Sequence, residues 1–263
     1  MNTPLITIIT PSYHAAATIR ATIDSVLGQT WQPLEYIVID GGSTDGTVDI
    51  LKEYGGKIRW TSEPDHGIYD AMNKGVRLAA GDYLLFLGAD DTLAAPQTIE
   101  QVVKEIQNAG SPDLWCGQVK MFSADTGMVK INGKTLSQAD AAAGEMPPHQ
   151  GIFARSRSLR EHPFNTRYRI CADRDFFLWA WFSGKTIRFG DTIVADYGTQ
   201  GTSNFSFRGI GENLRILREY DPSAPIRRLA CKRYAKLTAL FILHHCGLLR
   251  TVRRLMGRWH TAG

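Results

Sequence analysis

Residues 5–47, LITIITPSYHAAATIRATIDSVLGQTWQPLEYIVIDGGSTDGT, constrain the fold more than any other stretch. An apolar run ends in Pro11-Ser12-Tyr13, an amphipathic helical pattern follows, and a second apolar run passes directly into Asp40 and a Gly/Ser/Thr turn. A helix of this length between two strands allows the parallel crossover of a βαβ unit. In open parallel sheets ligands bind beyond the carboxyl ends of the strands, so both polar turns are expected on the ligand side.

The alternation continues. Strands are expected at 58–62, 83–87, 114–121 and 151–154, helices at 47–54, 68–79, 98–108 and 173–183, and an extended run at 186–197. This succession predicts an α/β sandwich around a mainly parallel sheet. On the first helix Ile19, Ile23, Val26 and Leu27 are placed inward, with Arg20, Asp24, Ser25 and Gln29 on the polar face. Between 123 and 148 the pattern weakens into Gly, Ala and polar residues, which reads as a loop spanning the site. Because α/β domains commonly reach 263 residues undivided, one domain is expected over 1–221, followed by a separate segment, 222–263.

Hydrophobic residues at 43% and charged residues at 21% exclude a disordered chain and a membrane bundle. The four cysteines, Cys116, Cys171, Cys231 and Cys246, have no CxxC or metal-site spacing and read as buried thiols. The N-terminal residues lack a basic n-region and a cleavage site, which points away from a signal peptide and toward the cytoplasm. Net charge is only +4 but unevenly distributed. After Asp221 there is no acid, while Arg227, Arg228, Lys232, Arg233, Lys236, Arg250, Arg253, Arg254 and Arg258 are all basic. Combined with helically spaced Leu, Ile and Phe, this reads as an amphipathic helical tail. Its apolar core at 237–249 is shorter than the about 20 residues of a bilayer span and suits the surface of an anionic membrane, on the inner face of the cytoplasmic membrane. Helices packed on the domain with a solvated basic face are the alternative. No nucleic-acid recognition module accompanies the charge.

Five segments carry candidate chemistry. YLLFLGADD, 83–91, ends a buried strand in Asp90 and Asp91, hard oxygen ligands of the kind Mg²⁺ or Mn²⁺ uses to bridge to a diphosphate. The same pair could instead be a turn capping the next helix. Asp40, ending the second strand, can accept a hydrogen bond from a nucleobase N–H, while Ser43 and Asp45 fit helix capping better. SEPDHGIYDAMNKGVRLAAGDY, 62–83, places Asp65, Asn73 and Lys74 around a helix start suited to an anion. CADRDFFLWAW, 171–181, opens an apolar helix with Asp173 and Asp175; on its own chemistry Asp173 reads as a helix-start acid complementing the dipole. PPHQGIFARS, 147–156, sets His149 and Gln150 before a strand.

The turn around Pro11 and Tyr13, the DGGSTDGT sequence, the GADD turn and the acid at 173 together resemble family 2 glycosyltransferases, the inverting enzymes of GT-A fold, over about residues 5–190. EPDHGIYDAMNKG is similar to a bacterial subgroup that builds exopolysaccharides of the colanic-acid type. The resemblance implies a GT-A domain with a C-terminal helical appendage, transferring sugar from a nucleotide-sugar donor to a saccharide acceptor, lipid-linked in this subgroup. It implies Mn²⁺ or Mg²⁺ at Asp90 with Asp91 in support, Asp173 as base, and donor contacts from Pro11, Tyr13, Asp40, Asp65, Asn73 and Lys74. His149 and Gln150 become candidate donor or acceptor contacts. Among the departures from the pattern, Gly41 and Gly88 stand where the family commonly has Asp, and Ala172 stands at the Glu position of its Glu-Asp motif. A sugar nucleotidyltransferase would need a Gly-rich, basic phosphate loop that TPSYHAAAT lacks. A catalytically silent nucleotide-sugar-binding or scaffold protein at the membrane is the remaining rival.

Overall fold

The computed structural model describes residues 3–122, 129–142, 145–198 and 207–220. In chain order these form β1 (Ile6–Ser12), α1 (Ile19–Leu27), β2 (Leu34–Asp40), α2 (Thr47–Glu53), β3 (Arg59–Ser62), α3 (Ile68–Leu78), β4 (Tyr83–Phe86), β5 (Thr92–Leu93) and α4 (Thr98–Asn108). There follow β6 (Leu114–Phe122), β7 (Val129–Asn132), α5 (Gln138–Ala142), β8 (Ile152–Arg155), α6 (Ser156–Glu161), α7 (Ala172–Phe182), β9 (Ile187–Gly198) and α8 (Phe207–Glu219). All strands join one sheet in the order β3-β2-β1-β4-β8-β6-β9-β5, with β7 paired to β6. β3, β2, β1, β4, β6 and β9 run one way, and β5, β7 and β8 run the other. The expected α/β fold with a mainly parallel sheet is observed.

The apolar runs of β1 and β2 are continuous because both faces of these strands are covered. Ile6, Ile8, Tyr36 and Val38 face a core built with α1 and α4, while Ile9, Ile37 and Ile39 face a second core built with α3, α7 and α8. Full burial of each such side chain contributes about 1.5–3 kcal/mol. Register across β1 and β2 ends at Ser12 opposite Asp40, and that across β2 and β3 at Asp40 opposite Ser62. The strand ends that carry the polar turns are thereby brought side by side.

Several expectations are corrected. Residues 123–148 are not one loop, since β7 forms an antiparallel ladder with β6 from Val119–Asn132 to Phe122–Val129, and α5 follows. β7 escaped notice because it is only four residues long, and its Val129 and Ile131 are exposed, so no core packing lies behind its short alternation. Gln29 belongs to the interior: its amide donates to Ser25 O (3.1 Å) and Ala95 O (2.8 Å) and accepts from Ile99 N (3.1 Å). Leu27, placed inward by its spacing, is exposed. Cys116 and Cys171 are free and buried, as expected. Burial pushes both thiols up, Cys171 to about 12. The segment 222–263, with its tail, membrane contact, Cys231 and Cys246, lies outside the described residues. Among those described, no helix is long and apolar enough to cross a membrane.

Candidate active site

The carboxyl ends of β3, β2, β1 and β4 open onto one surface, and the candidate residues divide into three groups along it. At the β2 end, Asp40 has no exposed surface and its carboxylate is fully engaged. Oδ1 accepts from Ser12 Oγ (3.3 Å) and Ser43 Oγ (2.5 Å), and Oδ2 from Gly42 N (3.1 Å), Ser43 N (2.8 Å) and Ser62 Oγ (2.7 Å). A base N–H would have to displace one of these donors; in this structure Asp40 ties together the ends of β1, β2 and β3 and shapes the turn above it. Ser43 and Asp45 also serve the turn. Asp45 accepts from Thr47 Oγ1 (2.6 Å), Thr47 N (3.1 Å) and Ala16 N (3.0 Å), and the Thr47 hydroxyl in particular holds it down at about 2.

Pro11 is buried within β1 opposite Ile39. Tyr13, next but one, is 64% exposed and stacks on His14 at 4.1 Å between ring centroids. Asp65 lies beside it on the turn leading to α3, with Oδ1 accepting from Gly67 N at 2.8 Å. Lys74 braces that turn from behind, its Nζ meeting Glu63 (2.8 Å), Pro64 O (3.2 Å) and Asp70 (3.7 Å). Asn73 is occupied with the fold, donating to Phe164 O (2.8 Å) and accepting from Phe164 N (3.0 Å). Phe164 in turn packs on Tyr69, Phe86 and Phe176. Asn73 and Lys74 therefore hold the elements that carry the site.

Past β4, Asp90 is exposed and Asp91 is buried. Asp91 Oδ2 accepts from Gly88 N (3.1 Å) and from Gln150 Nε2 (3.1 Å). Burial, reinforced by the neighbouring Asp90 charge, raises the Asp91 pKa. A Cβ on Gly88 would stand 2.7 Å from Asp91 Oδ2 and 3.0 Å from Asp90 Oδ1. A side chain at 88 would push the two carboxylate ends aside. Among the described residues no three His, Cys, Asp or Glu side chains cluster as a complete metal site. The adjoining carboxylates still suit a hard divalent ion that takes its remaining ligands from substrate phosphates and water.

The third group sits at the start of α7. Asp173 Oδ1 accepts from Arg174 N (2.8 Å) and lies 2.9 Å from the Tyr69 hydroxyl, which also reaches Ile170 O at 2.7 Å. Tyr69 is buried, and burial together with the Asp173 charge keeps its phenol protonated. Asp173 Oδ2 faces His149 Nδ1 at 3.6 Å, and because Gln150 reaches Asp91, this short segment joins the acidic pair to Asp173. The loop ahead of Asp173 is fixed by Glu212 of α8, a buried carboxylate accepting from the backbone N–H groups of Arg169 (3.0 Å), Ile170 (2.9 Å) and Cys171 (3.2 Å). Asp175, 3% exposed, points into the core toward His162 and Tyr220. Sequence reasoning missed the parts played by Tyr69, Glu212 and Ser62. Tyr69 and Ser62 both stood within the 62–83 segment, and Glu212 stood in none of the candidate segments. A separate open groove of about 750 Å³, lined by Thr98, Lys104, Glu105, Lys120 and Asp196 among others, lies at the β9 and β5 edge and includes none of these residues.

A family model described as "Glycosyl transferase family 2" matches residues 7–170. A "PGL/p-HBAD biosynthesis glycosyltransferase" of Mycobacterium bovis is 35% identical over 210 residues, covering 76% of this chain and 79% of that protein. An "uncharacterized glycosyltransferase" of Mycobacterium tuberculosis is 34% identical over 185 residues, 67% of this chain and 69% of the relative. Among solved structures, S. aureus TarS 1-349 in complex with UDP superposes with a TM-score of 0.64 at 18% identity, covering 94% of this chain and 73% of TarS. The mannosyltransferase PcManGT from Pyrobaculum calidifontis, in complex with GDP-Man and Mn²⁺, gives 0.63 at 17% identity, covering 96% and 80%. At these identities the two structures bear on the fold.

Proposed function

This chain belongs to glycosyl transferase family 2 and is a glycosyltransferase of GT-A fold, and from that premise we propose a cation-assisted, inverting transfer from a nucleotide-sugar donor to a saccharide acceptor. The observation that carries the reading is the convergence of Asp90, Asp91 and Asp173 through the His149-Gln150 segment. The donor would lie across the strand ends, with its base near Tyr13 and Asp65 and its diphosphate at Asp90 and Asp91. Asp90, supported by Asp91, would hold Mn²⁺ or Mg²⁺, which when bound offsets charge developing on the leaving nucleotide. Asp173 would take the proton from the acceptor hydroxyl as its oxygen attacks the anomeric carbon opposite the leaving group. Tyr69 and Arg174 N hold that carboxylate in place, and His149 lies beside its second oxygen, where an acceptor hydroxyl could enter.

The acceptor is proposed to be a lipid-linked saccharide in exopolysaccharide assembly, a reading supported by the EPDHGIYDAMNKG resemblance and by a basic 222–263 segment suited to an anionic membrane surface. A thermal-shift panel of UDP-, dTDP- and GDP-sugars with and without Mn²⁺ tests donor binding, since a ligand of the folded state raises its stability. A cation-dependent rise with at least one donor is expected. No rise with any of them counts against the reading and favours the silent-scaffold alternative.

A further inference from the structure

The turn after β2 has glycine at position 41, and the space above that glycine is filled from another element. A Cβ on Gly41 would lie 2.6 Å from Asp65 Oδ2, 3.1 Å from Asp65 Cγ and 3.2 Å from Tyr13 Cδ2. The Gly41 backbone is not among the left-handed positions, so its conformation would accept any residue. What excludes a side chain there is the Asp65 carboxylate. That carboxylate is held by design of its turn: Oδ1 takes the Gly67 N–H, Lys74 grips Pro64 O and Glu63, and Arg169 Nη1 donates to His66 O at 2.7 Å. Among the described residues Oδ2 receives no hydrogen bond, and it stands beside the largely exposed ring of Tyr13.

Along the sheet, β2 and β4 are separated by β1 alone. Two strand spacings are roughly 10 Å, the reach of a nucleoside from its base to its diphosphate. Resting on the reading that a nucleotide-sugar donor spans these strand ends, we propose that Asp65 Oδ2 is the base acceptor, standing in for a carboxylate at position 41, and that it selects a pyrimidine-2,4-dione, uracil or thymine. Such a base carries one ring N–H between two carbonyls and meets the single free oxygen. Cytosine has no hydrogen on N3 and would turn a lone pair toward the carboxylate. Guanine brings two adjacent donors, N1–H and the 2-amino group, to a carboxylate whose other oxygen is already held by Gly67. The Tyr13 ring supplies a stacking face for the planar base. A site built around one hydrogen bond rejects the analogue that cannot make it, because the bound base covers the half-buried carboxylate and leaves it unpaired.

The test is calorimetric titration of UDP, dTDP, GDP and CDP with Mn²⁺ into wild type, Asp65→Ala, Asp65→Asn, Gly41→Asp and the double variant Gly41→Asp/Asp65→Gly. Wild type is expected to bind UDP and dTDP about tenfold or more tighter than CDP and GDP. Asp65→Ala should lose about tenfold for UDP and dTDP alone. Asp65→Asn, whose amide can present either a donor or an acceptor, should narrow the gap between UDP and CDP. Gly41→Asp alone should weaken every nucleotide by crowding Asp65, and the double variant should recover the preference for UDP over CDP. Equal wild-type affinity for CDP or GDP and UDP, or an undiminished UDP preference in both Asp65 variants, overturns the inference and leaves the donor-site reading standing. Wild type that binds none of the four overturns both.

Discussion

Asp173 meets Tyr69 through a carboxylate oxygen 2.9 Å from a buried phenol that stays protonated. In the proposed reaction Asp173 removes the acceptor proton and has no part in holding the nucleotide. Asp173→Asn should therefore lower the transfer rate by about 10²- to 10⁴-fold while leaving donor affinity within about threefold. Near-normal turnover in a folded Asp173→Asn protein would move the base elsewhere. Tyr69→Phe removes only the hydroxyl that orients the carboxylate, so kcat should fall about tenfold with little change in KM for the donor; a change confined to KM would instead place Tyr69 in donor binding. The places of the acids at 90, 91 and 173 were legible because each follows a strand end or opens a helix, where sequence pattern and location coincide. The role of Asp40 was not. Two of its donors, Ser12 and Ser62, are 28 and 22 residues away and meet only once the sheet is registered. Gln29 was misread for the same reason, since its partners Ala95 and Ile99 lie 66 and 70 residues along the chain.

Elements far from the catalytic groups decide where those groups stand. β6, β8, β9 and α6 are fastened at one end by Asp113, which accepts from Thr186 N (3.0 Å), Thr186 Oγ1 (2.8 Å) and Arg157 Nη2 (2.6 Å), while its carbonyl takes Arg155 N (2.8 Å). Burial alone would raise this carboxyl, but Arg157 and Thr186 outweigh it and pull it from 3.8 down to about 2. A lowered folded-state value gives stability that is present above the unfolded value and is lost as pH falls through the folded one. Asp113→Asn should therefore cost up to about 2 kcal/mol at pH 6, with the difference from wild type shrinking between about pH 4 and 2. Thermal unfolding of both proteins across that range checks it; a constant difference would mean that the loss comes from packing alone. β1, β2 and β4 could be read from sequence because burial on both faces leaves apolar runs. Two-residue β5 and exposed β7 leave no such trace, and the hold of α8 on the 169–171 loop through Glu212 joins segments more than 40 residues apart.

At the scale of the whole molecule, charge and topology point in compatible directions. The sheet order places the carboxyl ends of four strands side by side, and the chain's excess of positive charge is concentrated beyond Asp221. If 222–263 brings the enzyme to anionic lipid, replacing Arg250, Arg253, Arg254 and Arg258 with Ser should reduce co-sedimentation with anionic liposomes, and added salt should weaken wild-type binding as well. Equal binding of both proteins to neutral and anionic liposomes would leave the segment as a packed part of the fold. The central claim, that Asp90 and its neighbour bind a donor through a divalent cation, is tested most directly by nucleotide titration of wild type and Asp90→Asn, each with Mn²⁺ and with chelator. Wild-type affinity is predicted to fall at least about tenfold when the metal is removed, and Asp90→Asn to bind weakly and equally under both conditions. An unchanged cation dependence in Asp90→Asn, or a wild type indifferent to chelator, would contradict it.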